Sequence, residues 1–147
     1  MPDYEVRRVA GEAPLSDAFA VRRAVFIDEQ DVSEDVEMDG KDEAAIHFVA
    51  YDTGRGEPVG TARLRFPGEE AAKAERVAVL ERYRGEGLGR RLMRRAESEA
   101  SKHGCSRMKV NAQTRVEGFY SDLGYETVSG VFYEADIPHV EMVKDLD

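Results

Sequence analysis

The sequence has 147 residues, which is enough for one domain with a substantial hydrophobic core. It carries 30 acidic and 21 basic residues, a formal net charge of −9, and sixteen of the basic residues are arginine. This balance argues against nucleic acid as a partner, because a surface that binds nucleic acid has to be basic. Such a composition resembles that of salt-loving organisms, and it fits an ordinary acidic cytoplasmic protein equally well.

No apolar run approaches the length of a membrane-spanning helix, and the first residues lack the apolar centre of a secretion signal. The single cysteine, Cys105, cannot form an internal disulfide, which suits a reducing compartment. Histidine and cysteine are not grouped at the spacing of metal ligands, so we expect no metal. We therefore expect one cytoplasmic domain over residues 1–147, a monomer or homodimer that does not contact a membrane.

The first half of the chain is predicted to form a strand, a helix and three further strands. Residues 4–9 alternate in polarity and predict the first strand. Residues 15–17 have the pattern of a helix N-cap preceded by an apolar residue, and the helix is expected to run to Glu29. The acidic, nearly aperiodic stretch 30–42 indicates a surface loop. Strands are predicted at residues 45–51, 59–66 and 73–79, separated by turns rich in glycine and proline.

A glycine-rich turn follows strand 73–79, and a basic amphipathic helix follows the turn. Gly85, Gly87 and Gly89 let backbone N–H groups approach a ligand closely, because no Cβ stands in the way. The N-terminus of the helix adds unpaired N–H donors and the positive end of the helix dipole. Together these features predict an anion site, and phosphate is its commonest occupant. The spacing matches neither a P-loop, which needs Gly-Lys-Ser/Thr, nor the Gly-x-Gly-x-x-Gly of dinucleotide-binding proteins.

The helix after this turn is expected to end at Gly104, a residue suited to the left-handed conformation that closes a helix. A strand at 106–112 follows, with Asn111 near its end, and then a short helix at 116–123 that carries Phe119 and Tyr120. The last predicted strands are 126–133 and 140–146, with a turn at 136–139. The order β-α-β-β-β-α-β-α-β-β indicates an α/β (α+β) fold, in which a mixed, mostly antiparallel central sheet has helices on both faces.

The motif Arg-x-x-Gly-x-Gly at residues 84–89, followed by Asn111 and then by Phe119-Tyr120 and Gly124-Tyr125, resembles the GNAT superfamily of N-acetyltransferases. The resemblance covers the whole chain and is specific from about residue 76 to residue 126; residues 26–30 with the acidic loop resemble the small bacterial and archaeal type. It implies the acyl-CoA N-acyltransferase fold, in which the parallel strands 73–79 and 106–112 splay apart to admit the pantetheine arm. It also implies acetyl-CoA as the acetyl donor and a primary amine, of a small molecule or a peptide, as the acceptor.

The resemblance further implies roles for individual residues. Tyr120 would protonate the departing thiolate, although Phe119 and Tyr120 would also be good core residues. The other expected contacts of the cofactor are the end of the strand, the glycine turn and the residues that follow: Val77, Ala78, Val79, Arg84, Gly85, Glu86, Gly87, Leu88, Gly89, Arg90, Asn111 and Phe119.

Four side chains are candidates for the general base: Glu29, Asp39, His47 and His139. Of these, Glu29 and His139 are predicted to be catalytic, Glu29 and Asp39 are predicted to bind the acceptor, and His47, inside a strand, is expected to be structural. The acidic loop beside the acceptor side favours a cationic acceptor.

Two other functions stay open for the glycine turn. A non-catalytic domain of the same fold could bind an acyl-CoA as a sensor, and a nucleotide-dependent regulator could use the turn for another phosphate. Tyr120 favours the enzyme over the sensor, and the missing Gly-Lys-Ser/Thr disfavours the regulator.

Overall fold

The structure is a computed structural model that describes residues 3–146; residues 1, 2 and 147 of the predicted domain lie outside the described residues. Within that range one sheet contains the strands β1 (Tyr4–Val9), β2 (Ile46–Asp52), β3 (Glu57–Arg65), β4 (Ala71–Val79), β5 (Arg107–Gln113), β6 (Glu126–Thr127), β7 (Phe132–Glu134) and β8 (Ile137–Asp145). The helices are α1 (Glu12–Arg22), α2 (Glu34–Glu37), α3 (Leu88–Lys102) and α4 (Glu117–Asp122). A π-helical segment (Arg23–Glu29) continues α1, and short 3₁₀ turns occur at Glu81–Tyr83 and Thr114–Val116.

The strands are ordered β1-β2-β3-β4-β5-β8, and both β6 and β7 pair with the outer edge of β8. The pair β4–β5 is parallel, whereas the other described pairs are antiparallel. Side chains of β2 show that the sheet is covered on both faces. Phe48 and Ala50 belong to the core beneath α3, while Val49 and Tyr51 pack with Ala18 of α1. Because successive residues of a strand point to opposite faces, α1 and α3 lie on opposite sides of the sheet. The predicted fold is confirmed.

The two parallel strands separate along their second halves. They pair from Ala71 with Arg107 to Ala74 with Val110, and not beyond, although β4 continues to Val79 and β5 to Gln113. Both strands keep their other partners over this stretch, β3 and β8 respectively. A gap therefore opens between β4 and β5, as the resemblance implied.

A β-bulge in β4 accompanies the gap. The pairing with β3 shifts between Thr61, opposite Ala78, and Arg63, opposite Glu75, so two residues of β4 face one of β3. Arg76 sits in this bulge with φ of +55°. A bulge bends its strand and reverses the alternation of side chains after it. As a result Ala74 packs in the core beneath α3, whereas Ala78, four residues later, packs with Val21 and Val25 on the α1 side.

Several predicted boundaries were wrong. The first helix is capped by Gly11 and begins at Glu12, so residues 15–17 lie inside it. Ser16 and Asp17 have other partners, because the Ser16 hydroxyl donates to the Ala13 carbonyl and Asp17 accepts from the Tyr51 hydroxyl. The segment 30–42, predicted to be a plain loop, contains α2, whose N-cap is Ser33.

The C-terminal strands were also predicted too simply. The predicted strand 126–133 is two short strands, because residues 128–131 leave the sheet and the Ser129 hydroxyl accepts the N–H of Glu141. The predicted turn at 136–139 is shorter, and His139 lies within β8. Among residues 3–146, none of the helices combines the length and the apolar character that a membrane crossing requires.

Candidate functional site

A cavity of about 860 Å³ passes through the gap between β4 and β5. On the α3 side it is bounded by the glycine turn, the start of α3 and α4, and on the α1 side by the segment 30–41 and the first half of β4. The predicted cofactor contacts line it, apart from Glu86: Val77, Ala78, Val79, Arg84, Gly85, Gly87, Leu88, Gly89, Arg90, Asn111, Phe119 and Tyr120. Asp39 and His139 also line the cavity, whereas Glu29 and His47 do not.

The glycine turn keeps the space over the N-terminus of α3 open. Gly85 and Gly87 have φ of +84° and +78°, a conformation that L-residues avoid, and Gly87 is the N-cap of α3. A Cβ added to either would project into a space where, apart from the adjacent residues, no atom of the described part of the chain lies within 4 Å. The first N–H groups of α3 have no partner within the helix, so they can donate to an anion in this space. These residues fit a pyrophosphate.

Gly89 has a different function, because a Cβ there would come within 3.1 Å of Cζ of Phe119. Its lack of a side chain lets the Phe119 ring pack against the first turn of α3. That contact fixes α4, and with it Tyr120, relative to the glycine turn.

Arg84 connects the glycine turn to the end of the π-helical segment. Its two terminal nitrogens donate to the Glu29 carboxylate at 2.8 and 2.7 Å, and its Nε donates to the Val79 carbonyl at 2.9 Å. The hydrogen bonds from Arg84 lower the pKa of Glu29. Glu29 is therefore a tightly held anion beside the turn, at the edge of the cavity, rather than a carboxylate that points into it.

Gln30, which directly follows the π-helical segment, contacts the other side of the gap. Gln113, the last residue of β5, donates from Nε2 to Oε1 of Gln30 at 2.9 Å. The end of the π-helical segment is thus attached both to the turn after β4 and to the end of β5. No local sequence pattern could indicate this contact, because Gln30 and Gln113 are 83 positions apart.

Tyr120 is buried at the α4 wall of the cavity. Its ring makes edge contacts with the rings of Phe119 and Tyr125, at centroid distances of 4.9 and 5.7 Å. Its hydroxyl forms no hydrogen bond with the residues that the structure describes. Burial raises the pKa of Tyr120, so the hydroxyl stays protonated at neutral pH. A neutral hydroxyl that faces a cavity is suited to donate a proton.

His139 lines the cavity from β8, and its tautomer follows from its backbone contact. Its Nδ1 lies 2.7 Å from the carbonyl oxygen of Ile137. Because a carbonyl can only accept, Nδ1 carries the proton, and Nε2 of the neutral ring is free to accept one. Nε2 of His139 lies 4.0 Å from one carboxylate oxygen of Glu134. The other carboxylate oxygen of Glu134 accepts a hydrogen bond from Asn111 at 2.8 Å.

Sequence reasoning missed Glu134, which lines the same wall. The sequence predicted one strand at 126–133 that ends just before Glu134. In the structure Glu134 is the last residue of β7, which forms a tight hairpin with β8. Only the hairpin brings Glu134 next to His139, so no local pattern could have identified it.

Asp39 lines the cavity but is held by other side chains. Both terminal nitrogens of Arg63 donate to it at 2.9 and 2.8 Å, and Arg76 lies 3.3 Å away. The hydrogen bonds from Arg63 lower the pKa of Asp39. His47 is buried in β2, as expected of a structural residue; its Nε2 contacts the Asp42 carbonyl, and its Nδ1 has no hydrogen-bond partner within residues 3–146.

Comparisons with known proteins agree with this geometry. Residues 12–146 match the family described as the acetyltransferase (GNAT) domain. YyaT of Bacillus subtilis (strain 168) is 40% identical over 144 residues, which cover 96% of this chain and 95% of YyaT. YjcF of the same organism, named an uncharacterized N-acetyltransferase, is 39% identical over 135 residues, which cover 91% and 94%.

Solved structures resemble the whole chain. Escherichia coli ElaA superposes with a TM-score of 0.83 at 26% identity, and the match covers 98% of this chain and 99% of that one. An acyl-CoA N-acyltransferase from Pseudomonas aeruginosa matches with a TM-score of 0.83 at 27% identity, over 98% and 99%. A GNAT family acetyltransferase from Elizabethkingia anophelis with acetyl-CoA bound shares the fold, with a TM-score of 0.75 at 13% identity over 97% and 98%. The family match, the two bacterial relatives and the fold agree: the chain belongs to the GNAT family of acetyltransferases.

Proposed function

We propose that the protein transfers the acetyl group of acetyl-CoA directly to a primary amine. The observation that carries the proposal is the continuity of the cavity, which joins the glycine turn at the start of α3 to the side chains of Tyr120 and His139. The fold shared with an acyl-CoA N-acyltransferase and with an acetyltransferase that holds acetyl-CoA supports the choice of donor.

The glycine turn and the start of α3 would hold the pyrophosphate of the donor through backbone N–H groups, with Arg90 nearby as a counter-charge. Arg84 already donates to the Glu29 carboxylate and to the Val79 carbonyl, so we propose that it holds the glycine turn in position. Bound acetyl-CoA supplies an activated thioester; the protein supplies the groups that orient it and move protons.

The exposed edge of β4 can hold the thioester carbonyl. Leu80 donates its N–H to the Val59 carbonyl of β3. N–H groups of successive strand residues point to opposite sides, so the N–H of Val79 points into the gap. A backbone donor at this place would stabilise the negative charge that develops on the carbonyl oxygen during transfer.

Two side chains would move the protons. The amine nitrogen attacks the acetyl carbon, so a C–N bond forms and the C–S bond breaks. Nε2 of His139 accepts the proton that the amine loses, and the adjacent Glu134 carboxylate stabilises the resulting imidazolium. The Tyr120 hydroxyl donates a proton to the departing sulfur, and solvent later restores both groups.

The test is an assay of acetyl-CoA consumption with a panel of primary amines, in which the acetylated amine is identified by mass spectrometry. The proposal expects amine-dependent release of the CoA thiol and an acetylated product. A sensor domain would bind acetyl-CoA in calorimetry without releasing thiol with any amine, and that result would overturn the proposed enzyme.

A further inference from the structure

The acidic segment 30–42, which the sequence suggested would attract a cation, carries little free negative charge. Four of its six carboxylates are paired with arginines: Glu34 with Arg23, Glu37 with Arg22 and Arg76, Asp39 with Arg63 and Arg76, and Asp42 with Arg22 and Arg63. Asp31 and Asp35 do not line the cavity. The expectation of a cationic acceptor therefore loses its basis.

We call the groups on the α1 side of the gap the arginine cluster. It consists of Arg22, Arg63, Arg65, Lys73, Arg76, Glu37, Asp39, Asp42 and Glu75, linked by ion pairs of 2.5 to 3.3 Å. Arg22, Arg63 and Glu37 are almost fully buried. Removing one partner from such a network would leave a buried charge unpaired, so these carboxylates are not available to an incoming ammonium.

Over the whole cluster the cations outnumber the carboxylates by one, whereas the members that line the cavity are Lys73, Arg76, Glu37, Asp39 and Glu75. Its five cations face four carboxylates, and Glu75 alone is shared by Arg63, Arg65 and Lys73. Lys41 adds a sixth cation, lines the cavity and makes no ion pair with any residue from 3 to 146. Its backbone N–H donates to Asp39 at 3.1 Å, which attaches this part of the segment to the cluster. With Lys41, three cations and three carboxylates line the α1 side of the cavity, and of these six Lys41 is the one without an ion pair among the described residues.

On the opposite wall, one carboxylate has no basic partner. Glu134 accepts from Asn111 and lies beside His139, but it makes no ion pair with a lysine or an arginine among the described residues. An ammonium group is therefore favoured next to the residue that would deprotonate it. Among the described residues, the cavity thus has a carboxylate without a basic partner at the proposed reaction centre and a cation without an acidic partner at Lys41.

We propose that the acceptor is an amino carboxylate, a small molecule that bears both the primary amine and an anionic carboxylate. The amine binds beside His139 and Glu134, and the carboxylate binds on the side of Lys41. This inference rests on the proposed function, whose acceptor it specifies. A plain polyamine would place its second ammonium against the ammonium of Lys41.

The test uses pairs of amines of similar basicity that differ by a carboxylate: 6-aminohexanoate with hexylamine, and lysine with cadaverine. We expect kcat/KM to be about tenfold or more higher for the carboxylated member of at least one pair, the effect of a charge-assisted hydrogen bond. Lys41→Met should remove that preference mainly through a higher KM for the amine. Lys102→Met, an exposed site at the end of α3, should leave it unchanged.

Calorimetric titration of the same pairs onto the protein saturated with CoA gives a second measurement that does not need turnover. Acetylation or binding without preference for the carboxylated member, or a preference that survives in Lys41→Met, would overturn the inference while leaving the proposed transferase intact. Preferential binding of the carboxylated member without any acetylation would support the inference and contradict the proposed function.

Discussion

A comparison of Gly87→Val with Gly104→Val should separate two effects of a valine at a glycine with positive φ. Both variants strain the backbone at an end of α3, but only Gly87→Val should block the phosphate site. Gly87 has φ of +78°, and Gly104, at the other end of α3, has φ of +84°. An L-residue in this region costs about 1–2 kcal/mol. No protein atom lies within 4 Å of an added Cβ at either site, so the direct steric cost is small in both. Gly87→Val and Gly104→Val should each lower Tm by about 2–8 °C in a domain of this size.

Their effects on the donor should differ. The valine at position 87 occupies the space over the first N–H groups of α3, where we place the pyrophosphate. Calorimetric titration with acetyl-CoA should show an affinity at least about 100-fold weaker for Gly87→Val, or about 2.7 kcal/mol, and an unchanged affinity for Gly104→Val. Equal affinities for the two folded variants would show that the phosphates do not bind over the glycine turn.

The remaining predictions concern proton transfer, the anchoring of the turn and stability. Tyr120→Phe removes a hydroxyl without a hydrogen bond to the described residues, so stability should change by less than about 1 kcal/mol, while kcat should fall about 10²–10⁴-fold; full activity would mean that solvent protonates the thiolate. His139→Ala should remove the acid limb of the pH profile of kcat/KM, because a protonated imidazole cannot accept the proton of the amine, and an unchanged profile would exclude the imidazole as base. Glu29→Gln should weaken acetyl-CoA binding at most about fivefold with the amine KM little changed, because partly exposed ion pairs contribute up to about 1 kcal/mol; a larger effect on the amine KM would place Glu29 at the acceptor instead. Burial lowers the pKa of His47, so the unfolded chain binds a proton that the folded chain does not, and the free energy of unfolding should fall as pH drops below 6.5; urea titrations should show a shallower pH dependence for His47→Gln.

The sequence predicted the glycine turn and α3 well, because their signals are local. The glycines at 85, 87 and 89 mark the turn, the apolar spacing marks α3, and Gly104 marks its end. These features depend on residues within a few positions of one another, so they can be recognised without knowledge of the tertiary structure. The gap between β4 and β5 was predicted from the resemblance alone. The bulge in β4 at Arg76 has no recognisable pattern in the sequence.

The acceptor side could not be predicted in the same way. Its charges are visible in the sequence, but their pairing is not. Arg63 is 24 positions from Asp39 and Arg76 is 39 positions from Glu37, so only the packing of the segment 30–42 onto β3 and β4 shows that these carboxylates are neutralised. The same holds for Glu134, which the β7–β8 hairpin brings next to His139.

A crystal structure of the protein with CoA bound would test the central claim most directly, namely that one cavity joins the phosphate site to the proton-transfer groups. We predict that the pyrophosphate accepts hydrogen bonds from backbone N–H groups of residues 85–90 and that the pantetheine arm lies between β4 and β5. The sulfur should then lie within hydrogen-bonding distance of the Tyr120 hydroxyl, on the side of the gap that leads to His139. A sulfur outside the gap, or a pyrophosphate away from the glycine turn, would contradict the proposed site.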